Sequence, residues 1–144
     1  MATATHPGPA AVITRLMKAT NAHDVDAIVG CFSADYLNQT PGHPERGFTG
    51  NEQVRRNWTA ILGAVKDVEA SVVRMVVDED TVWTEQSHRG HRPDGSVHEM
   101  AGVVIFGVAD DLITWARFYL EPVQVGGGGV NESVALQLAP GGQP

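Results

Sequence analysis

The sequence is poor in the residues that would commit it to several large classes of protein. It has one cysteine, Cys31, in 144 residues, so it can form no internal disulfide and no cysteine cluster for a metal. Cys31 lies in the apolar run AIVGCF, the setting of a small core residue rather than of an exposed reactive thiol. Basic residues are also scarce: 10 Lys+Arg against 17 Asp+Glu give a formal charge of −7. A net negative surface repels phosphate backbones, so no nucleic-acid partner is expected. No apolar run approaches the roughly 20 residues that a bilayer span needs, so no membrane association is expected. The N-terminal MATATHPGPAAV lacks a basic stretch followed by a long apolar one, which argues against a secretory signal and for the cytoplasm. There is no glycine-rich phosphate loop, no nucleophile elbow and no HExxH zinc helix, since His98-Glu99 has no second histidine after it. No cofactor is expected.

What is present suits one domain. Hydrophobic residues make up 42% of the chain, enough to bury a core at this length. Residues 1–8 are small, polar and proline-bearing, and read as a loose N-terminus. Residues 9–125 read as a single domain, and 126–144 as a flexible glycine-rich tail with a helical turn around Glu132–Leu138. Val12, Ile13, Leu16 and Met17 recur at helical spacing from about Pro9, and Asp24 is an N-cap for a short second helix ending near Phe32. A strand is expected over Ala34–Gln39 and a third helix from Asn51, with Val54, Trp58, Ile61, Leu62 and Val65 as its apolar stripe. Four strands follow, at about 68–77, 81–92, 96–108 and 112–125, joined by the polar turns Asp78-Glu79-Asp80 and Ala109-Asp110-Asp111. The fold class is α+β, with a cone-shaped curled sheet, mixed or antiparallel, wrapped around N-terminal helices. The space between sheet and helix is a natural small-molecule site.

Parity along the strands selects the candidate residues. Tyr36 and Asn38 stand two apart and point to one side. Arg92-Pro93-Asp94-Gly95 suits a type I turn with glycine in the bulge position, which pairs Arg92 with Ser96 and sets His88 opposite Met100. Gln86, His88, His98 and Met100 then share a face. His88 and His98 invite a metal reading, but no third ligand stands at suitable spacing, so no metal is expected. In the last strand Ala116, Phe118 and Leu120 line the pocket side, while Trp115, Arg117, Tyr119 and Glu121 form an outer face suited to a homodimer. His43 reads as a solvated loop residue, and Glu85 and Arg117 as outward groups in an ion pair or a subunit contact.

The stretches YLN, PGHPERGFTG, TVWTEQSHRGHRPDG, GVVIFGV and LITWARFYLEPV resemble the nuclear-transport-factor-2-like fold in its SnoaL-like branch, over residues 10–124. The resemblance implies a cone-shaped α+β barrel, a fold that hosts isomerases, cyclases, dehydratases, hydrolases and binding modules. It is partial to limonene-epoxide hydrolase, which holds a water with a tyrosine and an asparagine two apart, matched here by Tyr36 and Asn38. That family's arginine position reads Gln86, its water-activating aspartate His88 and its proton-donating aspartate Phe118. Ketosteroid isomerases use an aspartate base that has no counterpart in this cavity. SnoaL-like polyketide cyclases use one acid/base residue, typically aspartate, near the position of His88 or on a neighbouring strand, a role that a histidine can also serve.

The implied function is a cofactor-free cavity enzyme acting on a small apolar molecule of polyketide, steroid or terpene type, by proton transfer or water addition. His88 would be the acid/base, and Tyr36 and Asn38 would position the reacting oxygen. Gln86 would fix the histidine tautomer or touch the substrate, and Trp58, Leu62, His98, Met100 and Phe118 would line the pocket. The alternatives are a binding protein without turnover and an epoxide hydrolase with an altered catalytic set. A structural reading also stands, in which His88 is a hydrogen-bonded strand residue and Tyr36 and Asn38 tie down the Pro41–Gly47 loop.

Overall fold

The computed structural model describes residues 8–141. The loose N-terminus expected over residues 1–8 lies outside them except for Gly8, as do the last three residues of the tail. Helix α1 (Pro9–Asn21) begins with proline in its first turn, where no N–H donor is required. Asp24 caps α2 (Val25–Val29), its carboxylate accepting from Ala27 N at 3.0 Å. Helix α2 is shorter and strand β1 (Phe32–Gln39) longer than the sequence suggests. Gly30 ends the helix, and Ile113 N donates to Cys31 O at 2.8 Å, which draws the following residues into the sheet.

A 3-10 turn (Pro44–Arg46) and the two-residue β2 (Phe48–Thr49) lead into α3 (Asn51–Ala64). Strands β3 (Glu69–Asp78), β4 (Thr81–His91), β5 (Val97–Ala109) and β6 (Leu112–Pro122) then pair antiparallel in sequence. Strand β6 ends at Pro122 rather than Val125 because proline has no N–H with which to extend the ladder. In the tail the expected turn is a nine-residue helix, α4 (Val130–Leu138), whose Val130, Leu136 and Leu138 are exposed.

The strand order is β2-β1-β6-β5-β4-β3, and the β1–β6 pair is parallel. The sheet is therefore mixed. It does not close into the implied barrel, because β2 and β3 remain as edges. Side chains cover part of the β3 edge. Asn21 Nδ2 donates to Ala70 O at 2.9 Å, Ala70 N donates back to Asn21 Oδ1 at 2.7 Å, and His23 Nε2 donates to Val68 O at 2.8 Å. One asparagine thus stands in for an extra strand and blunts the edge.

The β4–β5 turn has the expected form: Arg92 N donates to Ser96 O at 2.8 Å, and Gly95 takes φ 85°. His88 accordingly faces Met100, and Gly90 faces His98. Gly102 adopts φ 149°, and a Cβ there would overlap the Tyr119 carbonyl oxygen, so the bend of β5 requires glycine. On the concave face Val82, Val104, Phe106 and Ile113 meet Ile13 of α1 and Ile28 of α2, all at most 1% exposed. Burying each such side chain contributes about 1.5–3 kcal/mol.

Candidate functional site

The sheet and α3 line an open cavity of about 440 Å³, within the range of small-molecule sites. Tyr36 and Asn38 reach it from β1, His88 from β4, His98 and Met100 from β5, Phe118 from β6 and Trp58 from α3. On a flat sheet β1 and β4 would stand about 14 Å apart; the curl brings their side chains onto one wall. A second hollow of about 500 Å³ lies over β1 and β2 beside Arg117 and shares Asn38, Thr40 and Phe48 with the first. Neither His88 nor Tyr36 lines it.

The buried polar groups form two chains with fixed direction. Thr84 Oγ1 is 2.8 Å from Val104 O, and a carbonyl only accepts, so the threonine hydroxyl donates. Its oxygen then accepts from Gln86 Nε2 at 3.0 Å. That orientation turns Gln86 Oε1 toward His88 Nε2, 2.8 Å away, so His88 must donate from Nε2. The neutral imidazole is therefore held with its lone pair on Nδ1. On the other strand Tyr36 Oη donates to Asn38 Oδ1 at 2.7 Å, which leaves the two N–H donors of Asn38 Nδ2. Ser33 Oγ is the one buried side-chain polar atom without a partner among the described residues. Nδ1 of His88 and Nδ2 of Asn38 bond to no described residue, and neither is fully buried, on two residues that line the cavity.

Burial sets the charge state of both chains. His88 is 8% exposed, and burial, reinforced by the nearby His98, lowers its pKa to about 4. At neutral pH the ring is uncharged. Tyr36 is 1% exposed, and burial raises its hydroxyl well above the usual phenol value, so it remains a donor. Trp58 leans over the imidazole with ring centroids 6.3 Å apart and an angle of 37°. Phe118 meets Phe106 edge-on at 6.4 Å.

The expected residues thus divide by placement. His88, Tyr36, Asn38, Trp58, His98, Met100 and Phe118 meet at the cavity. Gln86, 3% exposed, sits behind His88 rather than on the wall. Leu62 is half-buried against the core, and Ile61 takes the wall position. The helical phase carried that signal, since Val54, Trp58 and Ile61 follow at i, i+4 and i+7. The sequence reading missed Phe32, Thr40, Arg46, Phe48, Asn57 and Val68; Thr40, Arg46 and Phe48 lie between β1 and α3, in a stretch too short and broken for any periodicity to follow. His43 pairs with Glu121 at 3.0 Å, Glu85 with Arg74 at 3.2 Å, and Arg117 donates to Gln39 Oε1 at 2.8 Å. Among the described residues no three His, Cys, Asp or Glu side chains gather as a metal site, and no helix is long and apolar enough to cross a membrane.

A curled, unclosed sheet of six strands with helices at its N-terminal side is the architecture of the nuclear-transport-factor-2-like fold. The chain belongs to the SnoaL-like domain family, whose model matches residues 13–116. No curated protein matches the sequence. Among solved structures the chain is similar to a LEH-like epoxide hydrolase of M. tuberculosis (19% identity, 77% of this chain and 80% of that one, TM-score 0.66). It is similar to a Mycobacterium tuberculosis protein in complex with estradiol-17β-hemisuccinate (17% identity, 77% and 92%, TM-score 0.67). It is also similar to a protein of ketosteroid isomerase-like fold from Catenulispora acidiphila in complex with trimethylamine (19% identity, 80% and 87%, TM-score 0.63). At these identities the likeness establishes the fold alone.

Proposed function

We propose that the protein is a cofactor-free enzyme that holds a small, largely apolar molecule of polyketide, steroid or terpene type in the cone and moves a proton on it. One observation carries this reading: a free acceptor, His88 Nδ1, and a free donor, Asn38 Nδ2, open onto one cavity, each tied off behind by its own hydrogen-bond chain. In the step proposed, Nδ1 takes a proton from carbon beside a carbonyl. The C–H bond breaks, an N–H bond forms, and the electron pair moves onto the carbonyl oxygen, held by the Asn38 amide. The imidazolium then returns the proton to another carbon, giving isomerisation, or to the alkoxide formed when the enolate closes on a second carbonyl. Tyr36 acts through Asn38, since its single O–H is already directed at Oδ1. Epoxide opening fits less well, because no carboxyl group on the wall can protonate the leaving oxygen.

Ligand binding without turnover is the second reading, favoured by the low basicity that burial imposes on His88. The two separate cleanly. Polyketide-like β-diketones and ketosteroids incubated with the protein in D2O are expected to gain deuterium beside the carbonyl, read by proton NMR. A panel member that binds in the cavity but shows no exchange above the protein-free rate would leave only the carrier reading.

The proposal extends to assembly and location. A second copy of the chain covers the outer sheet face, where Trp83 and Tyr119 are 49% and 42% exposed, too large an aromatic surface to leave in water without consequence. Wild-type protein is expected to sediment as a dimer, and Trp83→Glu with Tyr119→Glu as a folded monomer; a monomeric wild type at tens of micromolar would refute the pairing. Cytoplasmic residence agrees with a lone buried thiol, Cys31, and a fold that needs no disulfide.

A further inference from the structure

The charge on the cavity wall is opposite to that of the chain. The protein carries a formal charge of −7, yet among the described residues the wall holds one arginine, two histidines and no carboxylate. Arg46 is the cation. It stands in the 3-10 turn, is exposed, and so lies at the rim rather than at the floor beside His88 and Asn38. Its guanidinium has no hydrogen bond or ion pair with any described residue, its chain neighbour Glu45 included. Arg55, Arg74 and Arg117, by contrast, are each engaged by Asp26, Glu85 and Gln39.

A second rim group is a donor by the same logic that orients His88. Arg56, which can only donate, bonds to Gln53 Oε1 from Nε at 3.3 Å and from a terminal nitrogen at 3.1 Å. Gln53 Nε2 must then donate to Asn57 Oδ1, 2.8 Å away, and Asn57 Nδ2 is left with its N–H donors. Asn57 lies on the cavity wall and is exposed. Rim and floor thus differ: two unengaged donor groups, one cationic, at the mouth, and an apolar body below lined by Phe48, Trp58, Ile61, Met100 and Phe118.

Resting on the proposed reading of this cavity as a small-molecule site, we infer that its ligand is an amphiphile, with an apolar body and a carboxylate that docks on Arg46 and Asn57 at the rim. A single guanidinium suits a monoanion, whereas a phosphate dianion would need more positive charge than the rim supplies. The overall negative charge does not forbid this, because at physiological salt it is screened beyond about 8 Å. The carboxylate holds one end of the molecule and fixes which carbon reaches the imidazole. It also places a negative charge in the same cavity as His88, which favours the protonated intermediate.

The test is calorimetric titration of the full chain with 2-naphthylacetate and with 2-naphthylacetamide, which match in shape and differ in charge. Wild-type protein is expected to bind the acid roughly tenfold more tightly than the amide, the worth of a charge-assisted contact at an accessible site. Arg46→Gln is expected to erase that preference while leaving amide affinity unchanged. Arg89→Gln, an outward-facing arginine away from the cavity, is expected to keep it. Equal affinity of wild-type protein for acid and amide, or a preference that survives Arg46→Gln, overturns the rim assignment and leaves the cavity reading standing. Failure of both compounds to bind overturns the two together.

Discussion

His88→Ala is expected to lower deuterium exchange by about 10²–10⁴-fold, the usual contribution of a positioned general base, with little change in ligand affinity. The split between turnover and binding is the informative part. Among the described residues lining the cavity, His88 Nδ1 is the acceptor nitrogen whose orientation a hydrogen-bond chain enforces, through Gln86, Thr84 and the Val104 carbonyl. Its removal should abolish proton abstraction and leave Trp58, Met100 and Phe118 to bind the apolar body as before. Alanine also opens a small void, so His88→Gln serves as the companion variant: it keeps an N–H donor near Gln86 and fills more of the space, yet has no basic nitrogen. Both variants should be inactive, and both should bind. Exchange at the wild-type rate in His88→Gln would remove the imidazole from the mechanism.

Acidification from about pH 6.5 to pH 4 is expected to cost about 3 kcal/mol of stability through His88 alone. The folded pKa is near 4 against an ordinary 6.5, so between those values the unfolded chain binds a proton that the native one refuses. Unfolding then takes up a proton, and stability falls as pH falls. The contribution is complete above the unfolded value and is lost progressively toward the folded one. Asp67 and Asp94 are also shifted downward, by hydrogen bonds from His91 and from Ser96. As carboxylates they act below their ordinary range, so their losses begin where that of His88 is nearly complete. The melting temperature of the wild type should therefore drop through this window, and that of His88→Gln should drop less. Parallel curves for the two proteins would mean that the imidazole is not held neutral by burial.

Much of the floor was legible because short-range rules decide it. Pro93, Asp94 and Gly95 dictate one turn, the turn dictates one register, and the register alone sets His88 across from Met100 and on the face of Gln86. Strand parity likewise paired Tyr36 with Asn38. What parity cannot supply is order along a face. Gln86 and His88 both point inward, and only the Thr84 bond shows that the glutamine turns back to brace the histidine instead of meeting a ligand. The rim was illegible for a different reason. Arg46 lies in a 3-10 turn held between the His43–Glu121 contact to β6 and the pairing of β2 with β1, and no pattern in PGHPERGFTG says which side chain overhangs the mouth. The β3 edge was hidden too, because an asparagine ending a helix reads as a stop signal, not as a substitute strand.

The parallel seam between β1 and β6 has a bearing on how the molecule is born. Phe32 pairs with Ile113 and Asn38 with Ala116, so the segment carrying half of the polar floor finds its β6 neighbour only after some 80 further residues have been made. Closing a span of that length costs about 4 kcal/mol in chain entropy before any contact repays it. During translation the β1 segment has only the two-residue β2 to pair with until β6 leaves the ribosome. The hollow is thus the last thing to form, and nascent chains cut short before Pro122 would have helices and hairpins but nowhere to put a ligand.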